Sequence, residues 1–330
     1  MLSSGRFSPG LAKEEVRAAA SSMNNYSNFL SGIVAAPHTP MNADGSLRLD
    51  LIEKQAARLI GDKVSGAFVC GTTGEGPSMT TDERRCVAER WRAVIGKAPL
   101  KLIVHVGHNS IEDARVLARH AQQIGAEAFS TLAPSYFKPA STDDLLDYCA
   151  PVAAAAPSLP FYFYDIPSMT GVPVAMVEFL RKGAARIPNL AGVKFTNSNL
   201  MALQECLEAE DGRFNILFGS DEMLLGALAL GVRGAVGSTY NYAAPLYYKI
   251  IAAFKAGDWT TARALQLKSV KLVQALQPFG VLASGKALMT MVGVDCGPTR
   301  PPVRALTEEQ KAKLFRQVEA LGIFETAVAV

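Results

Sequence analysis

Lys194 lies within a short apolar segment, Leu190–Thr196, whose composition is typical of a buried β-strand. An unpaired ammonium group is costly in a strand that is covered on both faces. Burial favours the neutral amine of a lysine, which is the form that attacks a carbonyl carbon to make a Schiff base. The alternative, and the commoner arrangement of a lysine taken alone, is a side chain that reaches solvent or a carboxylate from the strand end. The rest of the sequence favours the nucleophile.

A Gly-Thr-Thr-Gly segment at 71–74 has the groups needed to hold a small carboxylate. Its glycines leave backbone N–H groups accessible, and Thr72 and Thr73 add two hydroxyl groups. The Lys-Ser/Thr pair of a nucleotide-binding P-loop is missing, so nucleotide binding is not expected. The alternative is an ordinary turn with no ligand.

Tyr164 and two acidic residues supply further candidate chemistry. A phenol beside an amine can donate or accept a proton, and the alternative for Tyr164 is a plain core position. Asp221 and Glu222 would repel a phosphate but would accept hydrogen bonds from sugar hydroxyls. Their alternative role is to stabilise a helix dipole from its N-terminus. Ser238, in the turn Gly237–Thr239, offers one more hydroxyl.

The segments between these residues alternate short β-like runs with amphipathic helical patterns. Eight strands are predicted, at Ile33–Ala36, Gly66–Cys70, Leu102–Val106, Ala128–Leu132, Phe161–Tyr164, Gly192–Phe195, Ile216–Phe218 and Ala235–Gly237. Strict alternation requires parallel strands with right-handed crossovers, and eight such units close most economically into a (β/α)₈ TIM barrel, an α/β fold. An open doubly wound sheet is the alternative, but no Gly-x-Gly-x-x-Gly follows the first strand.

Barrel enzymes carry their chemistry at the carboxyl ends of the strands, and the candidate residues follow strands two, four, five, six, seven and eight. Side-chain alternation places Lys194 and Thr196 on one strand face, with Val193 and Phe195 toward the helices. Asp165, which follows Tyr164, is expected to point away from the site.

The two ends of the chain differ from the barrel. Residues 1–29 are predicted to be an extension that is either helical or disordered, with a helix possible from Ser8 to about Ser22. They lack the apolar core of a secretion signal, and Glu14 with Glu15 argue against an organelle transit peptide. Residues 30–256 are assigned to the barrel, and residues 257–330 to a C-terminal helical appendage.

The bulk composition excludes several classes of protein. The chain has 330 residues, of which 49% are hydrophobic and 19% charged, with a net charge of +3. Such a small charge gives no reason to expect nucleic acid or a membrane surface as partner, and no apolar stretch approaches the roughly 18 residues that span a bilayer. The five scattered cysteines predict free thiols in the cytoplasm. His105 and His108 flank a turn where a metal pair is conceivable, but the preferred interpretation is a solvated or hydrogen-bonded pair.

Four motifs in order resemble those of the dihydrodipicolinate synthase / N-acetylneuraminate lyase family: Gly71–Glu75, Tyr164–Gly171, Gly192–Thr196 and Gly219–Glu222. Residues 221–225 and 237–241 look most like the N-acetylneuraminate lyase branch. The resemblance implies a homotetrameric class I aldolase that uses no metal or organic cofactor. It further implies that Lys194 forms an imine with pyruvate and that Tyr164 is the acid/base. The remaining implied substrate-binding residues are Thr72, Thr73, Tyr136, Thr196, Gly219, Asp221, Glu222 and Ser238, with Tyr136 entering a neighbouring subunit's site.

Two positions depart from the family pattern. The synthase branch has an arginine where this chain has Met169, and methionine cannot hold a second carboxylate, so dihydrodipicolinate synthesis is disfavoured. Relatives commonly have asparagine or histidine where this chain has Asp165. The favoured hypothesis is reversible cleavage of N-acetylneuraminate to N-acetylmannosamine and pyruvate. The alternatives are a sister aldolase or sugar-acid dehydratase, acting for example on 2-keto-3-deoxygluconate, and a non-catalytic barrel that binds 2-oxo acids.

Overall fold

The computed structural model describes residues 30–324, and its centre is a closed barrel of eight parallel strands. The strands pair in sequence order, and β1 pairs with β8 to close the barrel. Closure excludes the open-sheet alternative and confirms the predicted (β/α)₈ fold. Each predicted strand lies within two residues of an observed one. The observed strands are β1 Gly32–Ala35, β2 Gly66–Val69, β3 Lys101–His105, β4 Ala128–Leu132, β5 Phe161–Asp165, β6 Leu190–Phe195, β7 Asn215–Phe218 and β8 Gly234–Gly237.

Helices connect the strands and surround the barrel. Thr80 and Glu83 make a capping box at the start of the second of these helices, each side chain accepting the other residue's backbone N–H. Ser110 and Ser141 cap the next two helices through their hydroxyls, which accept the backbone N–H groups of Asp113 and Asp144. The helices are α1 Leu51–Gly61, α2 Thr81–Ile95, α3 Ile111–Gln123, α4 Thr142–Ala154, α5 Pro167–Thr170, α6 Met176–Arg186, α7 Leu200–Gly212, α8 Leu224–Ala229, α9 Tyr240–Lys255, α10 Trp259–Leu276, α11 Val281–Leu288 and α12 Glu308–Glu319.

Two separate apolar cores follow from the alternation of side chains along the strands. The larger core lies between the barrel and the helices, and it includes Val193 and Phe195 of β6. The smaller core fills the barrel interior, and it includes Phe68, Tyr162 and Tyr164. The sequence-based assignment of strand faces is therefore confirmed. Any polar side chain that alternates inward near the carboxyl ends of the strands borders the mouth of the barrel.

Gly192 is required by the close pairing of β6 and β7. A Cβ atom there would lie 1.8 Å from the Asn215 carbonyl oxygen, which belongs to the backbone and cannot rotate away. We expect Gly192→Ala to lower the free energy of unfolding by about 3 kcal/mol or more, because it overpacks a rigid contact. Urea unfolding measures this loss. The matched control is Gly61→Ala in α1, where a Cβ would meet nothing within 4 Å and where alanine should stabilise by roughly 0.5–1 kcal/mol. Equal effects of the two substitutions would contradict the argument.

The C-terminal helices pack back onto the barrel. Gln266 and Ser269 of α10 both donate hydrogen bonds to the backbone carbonyl of Asp221, at 3.3 Å each. The appendage therefore touches the segment that follows β7. The predicted boundary at residue 256 stays a prediction, and the possible helix at 8–22 lies outside the described residues. Within residues 30–324, none of the helices combines the length and the apolar character that crossing a membrane requires.

Candidate active site

Lys194 lies in the barrel interior with 4% of its surface exposed. Its Nζ atom lies 3.8 Å from the centre of the Tyr164 ring and 4.3 Å from the centre of the Phe68 ring. None of the acidic side chains among residues 30–324 forms an ion pair with this atom. The amine is thus buried between two aromatic faces without a countercharge in contact, which is an unusual environment for a structural lysine.

Tyr164 is brought to Lys194 by the register of two neighbouring strands. The two residues are direct partners in the β5–β6 pairing, and both side chains point into the barrel. The Tyr164 ring is also held edge-on by Phe68 at 5.8 Å and by His105 at 5.7 Å between ring centres. Two aromatic contacts therefore restrict the tyrosine beside the amine. The sequence predicts that Tyr164 lies beside the Lys194 amine, and the structure places the amine against the tyrosine ring.

His105 is a neighbour of this pair that the sequence did not assign to it. Its Nδ1 atom lies 2.8 Å from the Ser130 hydroxyl, and its Nε2 atom is buried without a partner among the described residues. Burial holds the pKa of His105 well below its usual value, and the positive charges of Arg84 and Lys194 add to this effect, so the ring is neutral. His108 instead accepts a hydrogen bond from the Ser110 backbone N–H, so each of the two histidine rings makes a hydrogen bond of its own. Period-two alternation along β3 was the signal that could have found His105.

Thr72 and Thr73 lie in the loop after β2, which folds tightly against the end of its own strand. The first glycine of the loop, Gly71, packs on the Phe68 ring, since a Cβ there would lie 2.8 Å from it. The Thr39 hydroxyl donates to the Gly74 carbonyl at 2.6 Å, and this bond holds the loop from outside. Both threonines remain partly exposed. Because Phe68 contacts the amine directly, this loop borders the same mouth of the barrel.

Thr196 and Gly219 meet at the carboxyl ends of β6 and β7. The Gly219 backbone N–H donates to the Phe195 carbonyl at 2.8 Å. A Cβ at Gly219 would lie 1.9 Å from the Thr196 hydroxyl, so glycine makes room for that group. The hydroxyl is buried and has no hydrogen-bond partner among residues 30–324. It is therefore available to a ligand.

The two carboxylate oxygens of Asp221 have different surroundings. Its Oδ2 atom accepts hydrogen bonds from the Thr239 backbone N–H at 2.9 Å and from the Thr239 hydroxyl at 2.6 Å. Its Oδ1 atom is buried with no partner within the described chain and lies over Gly237, where a Cβ would be 1.6 Å away. Burial raises the pKa of Asp221 to about 6, and the Thr239 hydrogen bonds oppose this only in part. Glu222 and Ser238 flank the same place and are partly exposed.

The raised pKa of Asp221 gives a pH prediction with a definite sign. A carboxyl group with a folded-state pKa of about 6 and an ordinary value of 3.8 binds its proton more tightly in the folded state. Its contribution to the free energy of unfolding therefore falls as pH rises from about 4 to 6, by about 3 kcal/mol in total. Asp221→Asn removes this pH dependence. The free energy of unfolding of the variant, relative to that of the wild type, should therefore increase as the pH rises across that range. Urea unfolding at several pH values tests this, and a constant difference would contradict it.

The remaining predicted residues lie away from the amine. Tyr136 is 79% exposed and contacts the 85% exposed Phe137 edge-on, so it is not among the rings that surround Lys194 in its own chain. Asp165 points outward, as alternation predicts, and accepts a 3.4 Å hydrogen bond from Asn197. Burial raises the pKa of Asp165 to about 6. Met169 is 64% exposed.

Comparison with known proteins identifies the family of the chain. The model of the dihydrodipicolinate synthetase family matches residues 29–321. N-acetylneuraminate lyase from Gallus gallus is 41% identical over 88% of this chain and 96% of its own. The solved N-acetylneuraminate lyase structures from Aliivibrio salmonicida and Proteus mirabilis superpose with TM-scores of 0.88 and 0.87, at 44% and 43% identity. These alignments cover 90% and 89% of this chain, and 98% and 99% of the respective structures. The chain belongs to the dihydrodipicolinate synthetase family.

Proposed function

We propose that this protein is a class I aldolase that reversibly cleaves N-acetylneuraminate to N-acetylmannosamine and pyruvate. One observation carries the proposal: the buried Lys194 amine lies against Tyr164 at the mouth of a closed barrel, and no acidic side chain of residues 30–324 pairs with it. An amine in that environment is suited to attack a ketone. The names of the similar proteins, at about 40% identity over most of the chain, support the substrate.

Imine formation comes first. The Lys194 amine attacks the C2 ketone of the open-chain sugar acid and forms a carbinolamine. Tyr164 gives its phenolic proton to the departing hydroxyl, which leaves as water, and the product is an iminium ion beside a phenolate. The aromatic faces of Tyr164 and Phe68 favour a cation at this nitrogen.

Carbon–carbon cleavage then uses the iminium as an electron sink. The Tyr164 phenolate takes the proton from the C4 hydroxyl, the C3–C4 bond breaks, and its electrons move toward the nitrogen to give an enamine. N-acetylmannosamine leaves as the aldehyde. Tyr164 returns its proton to C3, and water hydrolyses the imine to release pyruvate and the free amine. One phenol thus serves each proton transfer in turn.

Substrate recognition is assigned by position around the mouth. Thr72 and Thr73 hold the carboxylate through hydroxyl and backbone N–H groups. The free Oδ1 of Asp221 and the free hydroxyl of Thr196 suit the sugar chain, because each is a buried polar group that needs a partner. The full set assigned to the sugar chain is Thr196, Gly219, Asp221, Glu222 and Ser238.

Met169 argues against dihydrodipicolinate synthesis. A substrate with two carboxylates needs a second cation or a set of N–H donors, and a thioether supplies neither. N-acetylneuraminate has one carboxylate and otherwise hydroxyl and amide groups. The residues at the mouth match that distribution.

The assembly is proposed to be a homotetramer in the cytoplasm. The exposed pair Tyr136 and Phe137 forms a large aromatic surface on a loop beside the mouth, which is typical of a subunit contact. In such a contact Tyr136 enters the site of the neighbouring subunit. The five cysteines are all free within the described residues, as expected for a reducing compartment.

A coupled assay of pyruvate release tests the proposal. Purified enzyme is given N-acetylneuraminate, 2-keto-3-deoxygluconate and related sugar acids at equal concentrations. We expect the highest kcat/KM with N-acetylneuraminate. Higher activity on 2-keto-3-deoxygluconate would assign the chain to a sister aldolase or dehydratase. Pyruvate binding without turnover of any substrate would indicate a non-catalytic barrel.

A further inference from the structure

Glu75 is a buried acid at the end of the loop that carries Thr72 and Thr73. It is 3% exposed, and its backbone φ of 55° lies in the left-handed region that non-glycine residues avoid. Such a conformation persists only where the surroundings hold it. The loop therefore needs an external restraint, and the restraint acts on the Glu75 side chain.

That restraint comes from the C-terminal part of the chain. The Lys286 ammonium of α11, itself 1% exposed, donates to Glu75 Oε1 at 2.7 Å and to the Pro298 carbonyl at 2.6 Å. The Arg300 backbone N–H donates to Glu75 Oε2 at 2.8 Å, and its guanidinium binds Glu83 at 2.8 Å. Both carboxylate oxygens are thus held by residues more than 200 positions further along the chain.

The charges of this cluster leave Lys286 as the cation closest to Glu75. His38 lies beside the pair, but burial together with the Lys286 charge lowers the pKa of His38 to about 3, so its ring is neutral. Arg300 meets Glu75 through its backbone, while its guanidinium is committed to Glu83. In a buried ion pair of this kind, removing one partner is destabilising because it leaves a desolvated charge behind.

We propose that Glu75 and Lys286 are positioning residues that hold the Thr72–Thr73 loop in the shape that receives the substrate carboxylate. This inference rests on the proposed function, since it assumes that the loop binds the carboxylate of pyruvate. Neither side chain is hydrogen-bonded to the Lys194 amine, and neither is assigned a contact with the substrate. It acts through Gly74 and Thr73, which directly precede Glu75. The C-terminal appendage thereby becomes part of the recognition of the carboxylate.

Removal of the cation should release the loop. Without Lys286 the Glu75 carboxylate remains buried and unpaired, and the chain relieves this by turning the side chain toward solvent. The left-handed backbone at Glu75 then relaxes, and the threonines move with it. A misplacement on the order of 1 Å in a positioning contact can cost about 100-fold in function.

Borohydride trapping of ketones on Lys194 distinguishes recognition of the substrate carboxylate from imine formation at the carbonyl. Pyruvate and acetone both form an imine with the amine, but only pyruvate has a carboxylate for the loop. The half-saturating concentration of each ketone is measured by mass spectrometry for the wild type and for Lys286→Met, Glu75→Gln and the double variant E75Q/K286M. Lys311→Met is the matched control, because that lysine lies in α12 nearby but pairs with the exposed Glu308 at the surface.

The expected result is selective for pyruvate. Lys286→Met should raise the half-saturating pyruvate concentration by about 10-fold or more and leave that of acetone unchanged. The double variant has no unpaired charge but has also lost the bond between the two side chains, so its value should lie between those of Lys286→Met and the wild type, and Lys311→Met should equal the wild type. Circular dichroism establishes that each variant is folded. If Lys286→Met does not fold, Glu75→Gln replaces it in the comparison. This variant should likewise raise the half-saturating concentration of pyruvate and not that of acetone.

Three results would overturn the inference. An unchanged pyruvate value in folded Lys286→Met means that the pair does not position the loop. An equal increase for pyruvate and acetone means that the damage is general and reaches the amine. If the wild type traps neither ketone on Lys194, the proposed function itself fails, and the inference fails with it. The first two results leave the proposed function standing.

Discussion

Lys194→Met abolishes trapping of pyruvate and lowers kcat by at least about 10⁴-fold, since no other group can form the imine. The same change should raise the free energy of unfolding by about 1–2 kcal/mol. Methionine fits the aromatic space between Tyr164 and Phe68 without burying an amine that lacks a countercharge. Opposite effects on activity and stability are typical of residues kept for function. Pyruvate release and urea unfolding measure the two quantities.

The control is Lys182→Met, which removes an exposed lysine that pairs with surface acids on α4 and α6. Surface pairs contribute roughly 0–1 kcal/mol, so this variant should keep its activity and nearly all of its stability. Retained turnover in a Lys194 variant would rule out the Schiff-base mechanism. A Lys194→Met protein that is less stable than the wild type would mean that the amine has a structural partner.

Tyr164→Phe is expected to lower kcat by about 10²–10⁴-fold, the usual contribution of a group that transfers a proton in the transition state. Phenylalanine keeps the ring that lies 3.8 Å from the Lys194 amine and keeps its edge contacts with Phe68 and His105. Pyruvate should therefore still be trapped by borohydride, although more slowly. The measurement compares kcat for cleavage with the final extent of trapping. Loss of binding together with turnover would show that the hydroxyl holds the substrate instead of moving protons.

Tyr162→Phe is the matched control, because Tyr162 shares the inner face of β5 with Tyr164 but lies deeper in the barrel. Its hydroxyl donates to the Asn215 side chain at 2.9 Å. Removing it should cost about 1 kcal/mol of stability and leave kcat close to the wild-type value. A loss of kcat as large as that of Tyr164→Phe would mean that any change inside the barrel disturbs catalysis.

Much of the barrel could be predicted from the sequence, because it follows from local patterns. Strand–helix alternation is a pattern of neighbouring residues, and it predicts all eight strands within two residues of their observed bounds. The inward direction of Lys194 and Thr196, and the outward direction of Asp165, follow from the period of two along a strand. These features need no knowledge of which distant segments meet.

Contacts between distant segments could not be predicted in this way. The neutral ring of His105 beside Tyr164 and the bonds of Thr239 to Asp221 depend on which side chains closure of the barrel brings together. The pairing of Glu75 with Lys286, across 211 positions, has no local signal at all. Each of these contacts is set by strand register and by the packing of helices over the barrel, and both are properties of the whole folded chain. Local chemistry thus predicts the amine and the phenol as candidates, whereas folding of the whole chain selects the groups that hold them in place.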